Sequence, residues 1–142
     1  MKFKRVEHVA IAVKSMEKMR EIFEDKLGIA MEYEEDLPHY NTKLAMYPIG
    51  ETYLEVLESS SPDTETSRWI DKHGEGLFHI CLEVDDIDDA LAELKDKGVK
   101  LIDNIPRIGH GGARIAFLDP SATGNLLIEL AEIPAESHHA PS

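Results

Sequence analysis

The chain contains an internal repeat, in which two stretches 71 residues apart share one pattern. Residues 8–13 read His-Val-Ala-Ile-Ala-Val, and residues 79–84 read His-Ile-Cys-Leu-Glu-Val. The match continues downstream, since residues 43–47 (Lys-Leu-Ala-Met-Tyr) correspond to residues 114–118 (Arg-Ile-Ala-Phe-Leu) at the same offset. Because similar sequences specify similar local structure, the repeat predicts a fold built from two similar halves.

Each copy is predicted to form a strand, a helix and then three strands. Both opening stretches are rich in β-branched residues, which favours strands. Ser15 can cap the first helix, which Gly28 would end, and Asp85 or Asp86 can cap the second. The later strands are expected near residues 30–34, 43–47 and 53–57 in the first copy and near residues 100–102, 114–118 and 127–130 in the second.

The length of 142 residues is typical of one domain. We expect a single domain at residues 1–134, followed by a flexible tail at residues 135–142. Within the domain we expect module one at residues 4–58, a linker at 59–76 with a short helix near 64–73, and module two at 77–132.

Composition excludes several classes of protein. A formal net charge of −13 gives no electrostatic basis for binding nucleic acid or an anionic membrane. Cys81 is the single cysteine, which excludes an intrachain disulfide. We expect neither a secretory signal nor a membrane span, because Met1 precedes charged residues and no apolar run of about 18 residues occurs. The expected location is therefore the cytoplasm.

Two histidines and two glutamates occupy equivalent positions in the two copies. His8 and His79 begin the first strands, and Glu55 and Glu129 lie within the last strands. A carboxylate in the middle of an apolar strand is unfavourable unless it is paired or binds a metal. If a pseudo-twofold axis brings these four side chains together, they would hold one divalent metal ion per chain. Imidazole and carboxylate ligands suit zinc, cobalt, nickel or manganese.

Taken singly, these residues have a simpler interpretation, because a strand histidine is often a core residue and a strand glutamate usually faces water. Their repetition in both copies favours the metal site. Of the other histidines, His39 and His73 are expected at the surface. His110 lies in the glycine-rich residues 108–112 and is interpreted as a loop residue, with a place at a site entrance as the alternative.

These features resemble the vicinal oxygen chelate superfamily, which includes glyoxalases, bleomycin resistance proteins and dioxygenases. Within it the chain is most similar to the methylmalonyl-CoA epimerase family, over about residues 5–131. The matching stretches are residues 8–13, 72–80, 106–120 and 127–130. The resemblance implies an α+β fold of two βαβββ modules related by internal pseudo-twofold symmetry, which form a curved mixed sheet around the metal. It also implies an isomerase that acts on an acyl-CoA and forms a homodimer.

The resemblance implies interconversion of (2R)- and (2S)-methylmalonyl-CoA by 1,1-proton transfer, with a metal that stabilises the enolate. Glu129, and Glu55 as its counterpart, would serve as ligands and as acid/base groups. Some epimerases use a further carboxylate on the strand that matches residues 43–47, but Lys43 or Leu44 stands there in this chain. Lys43 is the alternative second group if burial lowers its pKa.

An acidic chain also needs a local basic cluster to hold the phosphates of coenzyme A. Lys72, Arg107 and Arg114 are the candidates. The chain departs from the epimerase pattern at Phe78 and Asp119, and neither departure removes a ligand.

Two other functions stay open. Glyoxalase I uses the same His, Glu, His, Glu set for proton transfer on a glutathione hemithioacetal, so the ligands alone do not separate it from an epimerase. Residues 106–130 favour the epimerase. The second alternative is a non-catalytic binding protein like the bleomycin resistance proteins, which generally lack the ligand set. A metal-dependent dioxygenase uses two His and one Glu as ligands. The additional Glu55 at the fourth position therefore argues against a dioxygenase.

Overall fold

The computed structural model describes residues 1–135, so the expected flexibility of residues 136–142 lies outside the described residues. The strands are β1 (Phe3–Val13), β2 (Tyr33–Leu37), β3 (Thr42–Ile49), β4 (Thr52–Ser59), β5 (Gly76–Val84), β6 (Arg107–Ile108), β7 (Arg114–Phe117) and β8 (Ile128–Glu132). The helices are α1 (Met16–Arg20), which continues as a π-helical segment (Glu21–Lys26), α2 (Glu65–His73) and α3 (Ile87–Asp96). Each copy of the repeat thus contains a strand, a helix and three strands, as predicted.

The chain divides into two compact units whose boundaries fall inside β1 and β5. The first unit comprises residues 8–78, and the second comprises residues 1–7 together with the chain from residue 79 onwards. The start of β1 is tied to the second unit, where the amide of Asp85 donates to the carbonyl of Lys2 over 3.3 Å. The beginning of β1 therefore contributes side chains to the second copy of the repeat.

In the first unit the strand order is β2-β3-β4-β1. β3 is antiparallel to β2 and β4, whereas β1 runs parallel to β4 with Ala10 opposite Glu55. One face of these strands packs on α1 and its extension. The core of this face consists of Val13, Met16, Phe23, Ala45, Tyr47 and Val56. Since alternate strand residues point to opposite faces, Glu55 lies on the face away from this core.

The second unit has the equivalent order β5-β8-β7-β6. β8 is parallel to β5, with Cys81 opposite Glu129, and antiparallel to β7. Its helix-covered face buries Val84, Ile87, Ala90, Leu91, Leu94, Ala116, Leu118 and Leu130. Glu129 again lies on the opposite face, because Leu130 beside it is in the core. The two units therefore repeat one βαβββ topology, and the predicted α+β fold class is confirmed.

The strands predicted near residues 30–34 and 100–102 are displaced. The structure places β2 later, at Tyr33–Leu37, and in the second copy only Leu101 forms an isolated bridge, while β6 is at Arg107–Ile108. The apolar residues behind those predictions pack against the helix-covered cores instead. A short apolar run does not distinguish a paired strand from a loop that contributes to a core.

Equivalent glutamates stabilise the start of both repeat helices. Ser15 is the N-cap of α1 but its side chain makes no capping hydrogen bond, and the amide of Met16 donates to Glu58 instead, over 2.7 Å. The amide of Ile87 donates to Glu132 over 3.0 Å in the second copy. These acids satisfy helix amides that lack an intrahelical partner. Within residues 1–135, no helix has the length and apolar composition needed to cross a membrane.

Candidate active site

The first unit contains one of the predicted His–Glu pairs. His8 and Glu55 are both buried, and His8 Nε2 lies 3.2 Å from Glu55 Oε1. The parallel register of β1 and β4 produces this contact, because it places Ala10 opposite Glu55 and leaves His8 two residues away on the same face. Ala10 and Ala12 share that face and are fully buried.

The second unit contains the equivalent pair. His79 and Glu129 are buried, and His79 Nε2 lies 3.1 Å from Glu129 Oε1. Cys81 is opposite Glu129 in the parallel register of β5 and β8, so the geometry of the first pair is repeated. The edge of the Phe117 ring faces the His79 ring at 5.1 Å between centroids. Each unit thus brings together the histidine and the glutamate that the repeat selected.

Both pairs have ligand types and separations that are compatible with binding a divalent metal. Two nitrogen or oxygen ligands, each about 2.1 Å from one metal, are separated by about 3.0 Å at a right angle and by about 3.4 Å at a tetrahedral angle. The observed 3.2 and 3.1 Å separations fall within this interval. Buried carboxylates also need a charged or hydrogen-bonding partner. Histidine and carboxylate groups that could hold a metal ion are therefore present.

Around its pair, the first unit presents apolar side chains. Met46 lies opposite Glu55 across the β3–β4 ladder, and Leu44, two residues earlier on the same face, is fully buried. Lys43 is exposed, so the burial on which its role as a second acid/base group depended is absent. The centre of β3, the strand that carries a further base in some epimerases, presents Leu44 and Met46 to this face, and neither is ionisable.

In the second unit, charged side chains lie on β5, which carries His79, and on the start of β1. Glu83 is buried four residues after His79 on β5, and it accepts a 2.6 Å hydrogen bond from Arg5 Nε. Lys4 Nζ lies 3.7 Å from the same carboxylate. Arg5 also approaches Glu7, with 3.8 Å between Nη2 and Oε2. A network of alternating charge therefore joins β1 to β5, with its two carboxylates buried and its two cations partly exposed.

His110 is buried, which the sequence did not predict. It lies in a tight turn at His110–Gly112, as the loop interpretation required, but it is only 7% exposed. Its Nε2 lies 3.2 Å from Oε1 of Glu7, which is 3% exposed. The neighbouring glycines were the available signal, since a Cβ on Gly109 would meet Ile115 at 3.0 Å and Gly111 has a positive φ. Glycines at such positions indicate a loop folded closely onto its strand.

The remaining candidates lie at the surface or are already paired. His39 and His73 are exposed, as expected. Arg114 makes two hydrogen bonds to Asp88, of 2.8 and 3.0 Å, which hold the pKa of that carboxyl below its usual value. Arg107 lies 3.4 Å from Asp103 and over the ring of Phe117. Lys72 is exposed. The expected basic cluster is thus not formed by Arg114, whose guanidinium is bound to Asp88.

Comparison with known proteins agrees with this architecture. Residues 7–117 match the model of the Glyoxalase/Bleomycin resistance protein/Dioxygenase superfamily. The uncharacterized protein YqjC of Bacillus subtilis is 33% identical over 95% of this chain and 96% of its own length. The mitochondrial methylmalonyl-CoA epimerase of Bos taurus is 32% identical over 90% of this chain and 74% of its own.

A solved structure of a variant Streptomyces coelicolor methylmalonyl-CoA epimerase, in complex with 2-nitronate-propionyl-CoA, superposes with a TM-score of 0.89. It is 31% identical over 94% of this chain and 97% of that chain. The resemblance drawn from the repeat and its motifs is confirmed, and the enzymes among these relatives are isomerases. The chain belongs to the Glyoxalase/Bleomycin resistance protein/Dioxygenase superfamily.

Proposed function

We propose that this protein is a metal-dependent epimerase that interconverts (2R)- and (2S)-methylmalonyl-CoA by 1,1-proton transfer. The observation that carries the proposal is the pair of buried His–Glu contacts, at equivalent places in the two repeats, with separations that suit ligands of one metal. We propose His8, Glu55, His79 and Glu129 as the ligands of one ion per chain, either cobalt, zinc, nickel or manganese. Such an ion, when bound, would supply a Lewis acid that stabilises enolate charge.

The side chains of the two pairs would hold the ion and move the substrate proton. Glu129 is the proposed acid/base group, because its buried carboxylate would lie beside the bound substrate and can accept and return the α-proton. Glu55, its equivalent in the first unit, would mainly hold the ion and is the alternative acid/base group for the second transfer. The imidazoles of His8 and His79 cannot share this task while their lone pairs bind the ion.

The relatives support an acyl-CoA substrate, since two of them are named as methylmalonyl-CoA epimerases and one of these was solved with an acyl-CoA analogue. We propose that the two units act as one domain over residues 1–134. Assembly as a homodimer and a location in the cytoplasm stay predictions.

Hydrogen exchange at the α-carbon tests the proposal. Pure (2R)- and (2S)-methylmalonyl-CoA are incubated in deuterated buffer with metal-reconstituted or chelator-treated protein, and loss of the α-proton signal is followed by NMR. Exchange that depends on the metal and leads to the same mixture from either epimer is the expected result. A protein that binds metal but exchanges neither epimer would contradict the proposal and direct the test to the hemithioacetal of methylglyoxal and glutathione. A protein that binds no metal would support a non-catalytic binding role.

A further inference from the structure

We infer that Arg107 binds the free carboxylate group of the acyl-CoA substrate. This inference rests on the proposed function and deepens it, because it names the side chain that recognises the dicarboxylic acyl group. Methylmalonyl-CoA carries this carboxylate directly on the α-carbon, next to the thioester. The phosphates of coenzyme A are separated from the same carbon by the whole pantetheine arm. A cation close to the proposed ligand pair is therefore placed to bind the carboxylate rather than a phosphate.

Arg107 lies on the face of the second unit that carries Glu129. It is opposite Ile115 in the β6–β7 register, and Phe117 is opposite Glu129 in the β7–β8 register. Directly opposed residues share a face of the sheet, as do residues two apart along one strand. These four side chains therefore point to the same side, away from the helix-covered core to which Ala116 belongs.

The Phe117 ring connects the guanidinium of Arg107 to the second His–Glu pair. Arg107 Cζ lies 5.4 Å from the centroid of this ring, and the ring edge faces the His79 imidazole with 5.1 Å between the centroids. The guanidinium and the imidazole of the proposed ligand thus contact the same aromatic side chain. The attraction between a cation and an aromatic face strengthens when water is excluded, which suits a partly buried site. An anion bound to Arg107 would therefore lie beside the His–Glu pair.

Asp103 holds the side chain of Arg107 in place. Asp103 Oδ2 accepts a 2.9 Å hydrogen bond from the amide of Phe117 and lies 3.4 Å from Arg107 Nε. The side chain of Arg107 is 27% exposed, so a ligand can reach it. A guanidinium has five N–H donors in a planar fork and can contact more than one carboxylate. Arg107 can therefore bind a substrate carboxylate while it keeps its contact with Asp103.

The net charge of the chain makes a cation at this place necessary. A formal charge of −13 disfavours an anionic substrate unless a local cation attracts it. Of the three cations that the sequence selected, Lys72 lies on α2 in the first unit and Arg114 is bound to Asp88. Arg114 also precedes Ile115 directly on β7 and so points to the opposite face. Of the three, Arg107 is the one that shares a face with the second His–Glu pair.

Calorimetric titration with two ligands tests the inference. Methylmalonyl-CoA and propionyl-CoA share the thioester and the coenzyme A moiety, and only methylmalonyl-CoA has the free carboxylate. Arg107→Met removes the charge but keeps an unbranched side chain over Phe117. We expect it to raise the Kd of methylmalonyl-CoA by about 10- to 100-fold and to leave that of propionyl-CoA within about threefold of the wild type, because only the charged hydrogen bonds are lost. Arg107→Lys keeps the charge without the planar fork, so its effect should be intermediate.

Arg20→Met is the matched control. Arg20 also contacts a carboxylate, with 2.9 Å between its Nη1 and Glu34 Oε1, but it lies on α1 in the first unit. Its replacement should leave both Kd values unchanged. Thermal unfolding verifies that each variant is folded, and if Arg107→Met does not fold, Arg107→Lys provides the comparison of the two ligands.

The outcomes separate this inference from the proposed function. Equal weakening of both ligands would assign Arg107 to the coenzyme A moiety and overturn the inference, as would unchanged binding of methylmalonyl-CoA. A wild-type protein that distinguishes the two ligands through Arg107 but exchanges the α-proton of neither epimer would contradict the proposed function alone. A wild-type protein that binds neither ligand would overturn both.

Discussion

The two units carry the same His–Glu pair in opposite surroundings. In the first unit the pair shares its face with alanines and with the apolar side chains of β3. In the second unit, Glu83 stands where the first has Ala12, and Glu7 contacts a buried histidine whose counterpart, His39, is exposed. The comparison teaches that the two repeats share the buried His–Glu pair but differ in the charged and apolar side chains on the same face.

The largest effect is expected from removing one imidazole from either unit. His8→Ala and His79→Ala should each weaken divalent-metal binding by more than about 100-fold, since loss of a side chain that merely supports a ligand already costs about 10- to 100-fold. Metal titration of each variant measures this, with His39→Ala as the control. A loss confined to one variant would show that the two pairs are not equivalent.

The two carboxylates should differ although their positions are equivalent. Glu129→Gln keeps an oxygen ligand but removes the base, so exchange of the substrate α-proton should fall by about 100- to 10,000-fold. Glu55→Gln should act mainly through weaker metal binding and recover at saturating metal. NMR-detected exchange on metal-loaded proteins separates these cases. A Glu129→Gln protein that retains its metal and exchanges at the wild-type rate would contradict the assignment, and equal losses would assign the second transfer to Glu55.

Glu83→Ala makes the second unit resemble the first, which has Ala12 at the equivalent position. It leaves the Arg5 guanidinium without its closest carboxylate, and the side chain of Arg5 is only 23% exposed. We expect a loss of about 2 kcal/mol in the free energy of unfolding, less than the 3–5 kcal/mol typical of a fully buried pair. Urea denaturation measures the loss. A stability equal to the wild type would show that the buried charges are dispensable for folding.

The smallest effect concerns the exposed pair formed by Asp88 and Arg114. The hydrogen bonds from Arg114 lower the pKa of Asp88 in the folded protein, so this pair stabilises the fold above the unfolded-state pKa. The contribution disappears as the pH falls through the lowered folded-state pKa. Asp88→Asn should therefore reduce the urea midpoint slightly at pH 7, and this reduction should shrink as the pH falls through the folded-state pKa of Asp88. Glu17→Gln, at the equivalent position of the first repeat, is the control, and an equal change in both variants would contradict the pairing.

Much of the fold could be read from the repeat. The period of 71 residues, the β-branched residues of the opening strands and the helix caps at Ser15 and at Asp85 or Asp86 predicted two modules of a strand, a helix and three strands, and the structure confirms them. The two strands that were predicted at the wrong positions lie in short segments with few apolar residues. Met31 and Leu101 were assigned to strands, but both pack on the helix-covered cores and only Leu101 forms a bridge. Burial of such residues depends on neighbours that are distant in sequence, so local pattern cannot separate the two outcomes.

The sequence by itself determined the two topologically equivalent halves and the residues of both His–Glu pairs. The reason is that the repeat can be recognised by comparing the chain with itself, without knowledge of any tertiary contact. Only the tertiary structure decided what surrounds those pairs. The contact between Glu7 and His110 joins residues 103 positions apart, and that between Arg5 and Glu83 joins residues 78 positions apart. No periodicity connects such partners, because each contact results from the packing of a loop or strand onto another. The difference between the surroundings of the two His–Glu pairs therefore results from tertiary packing.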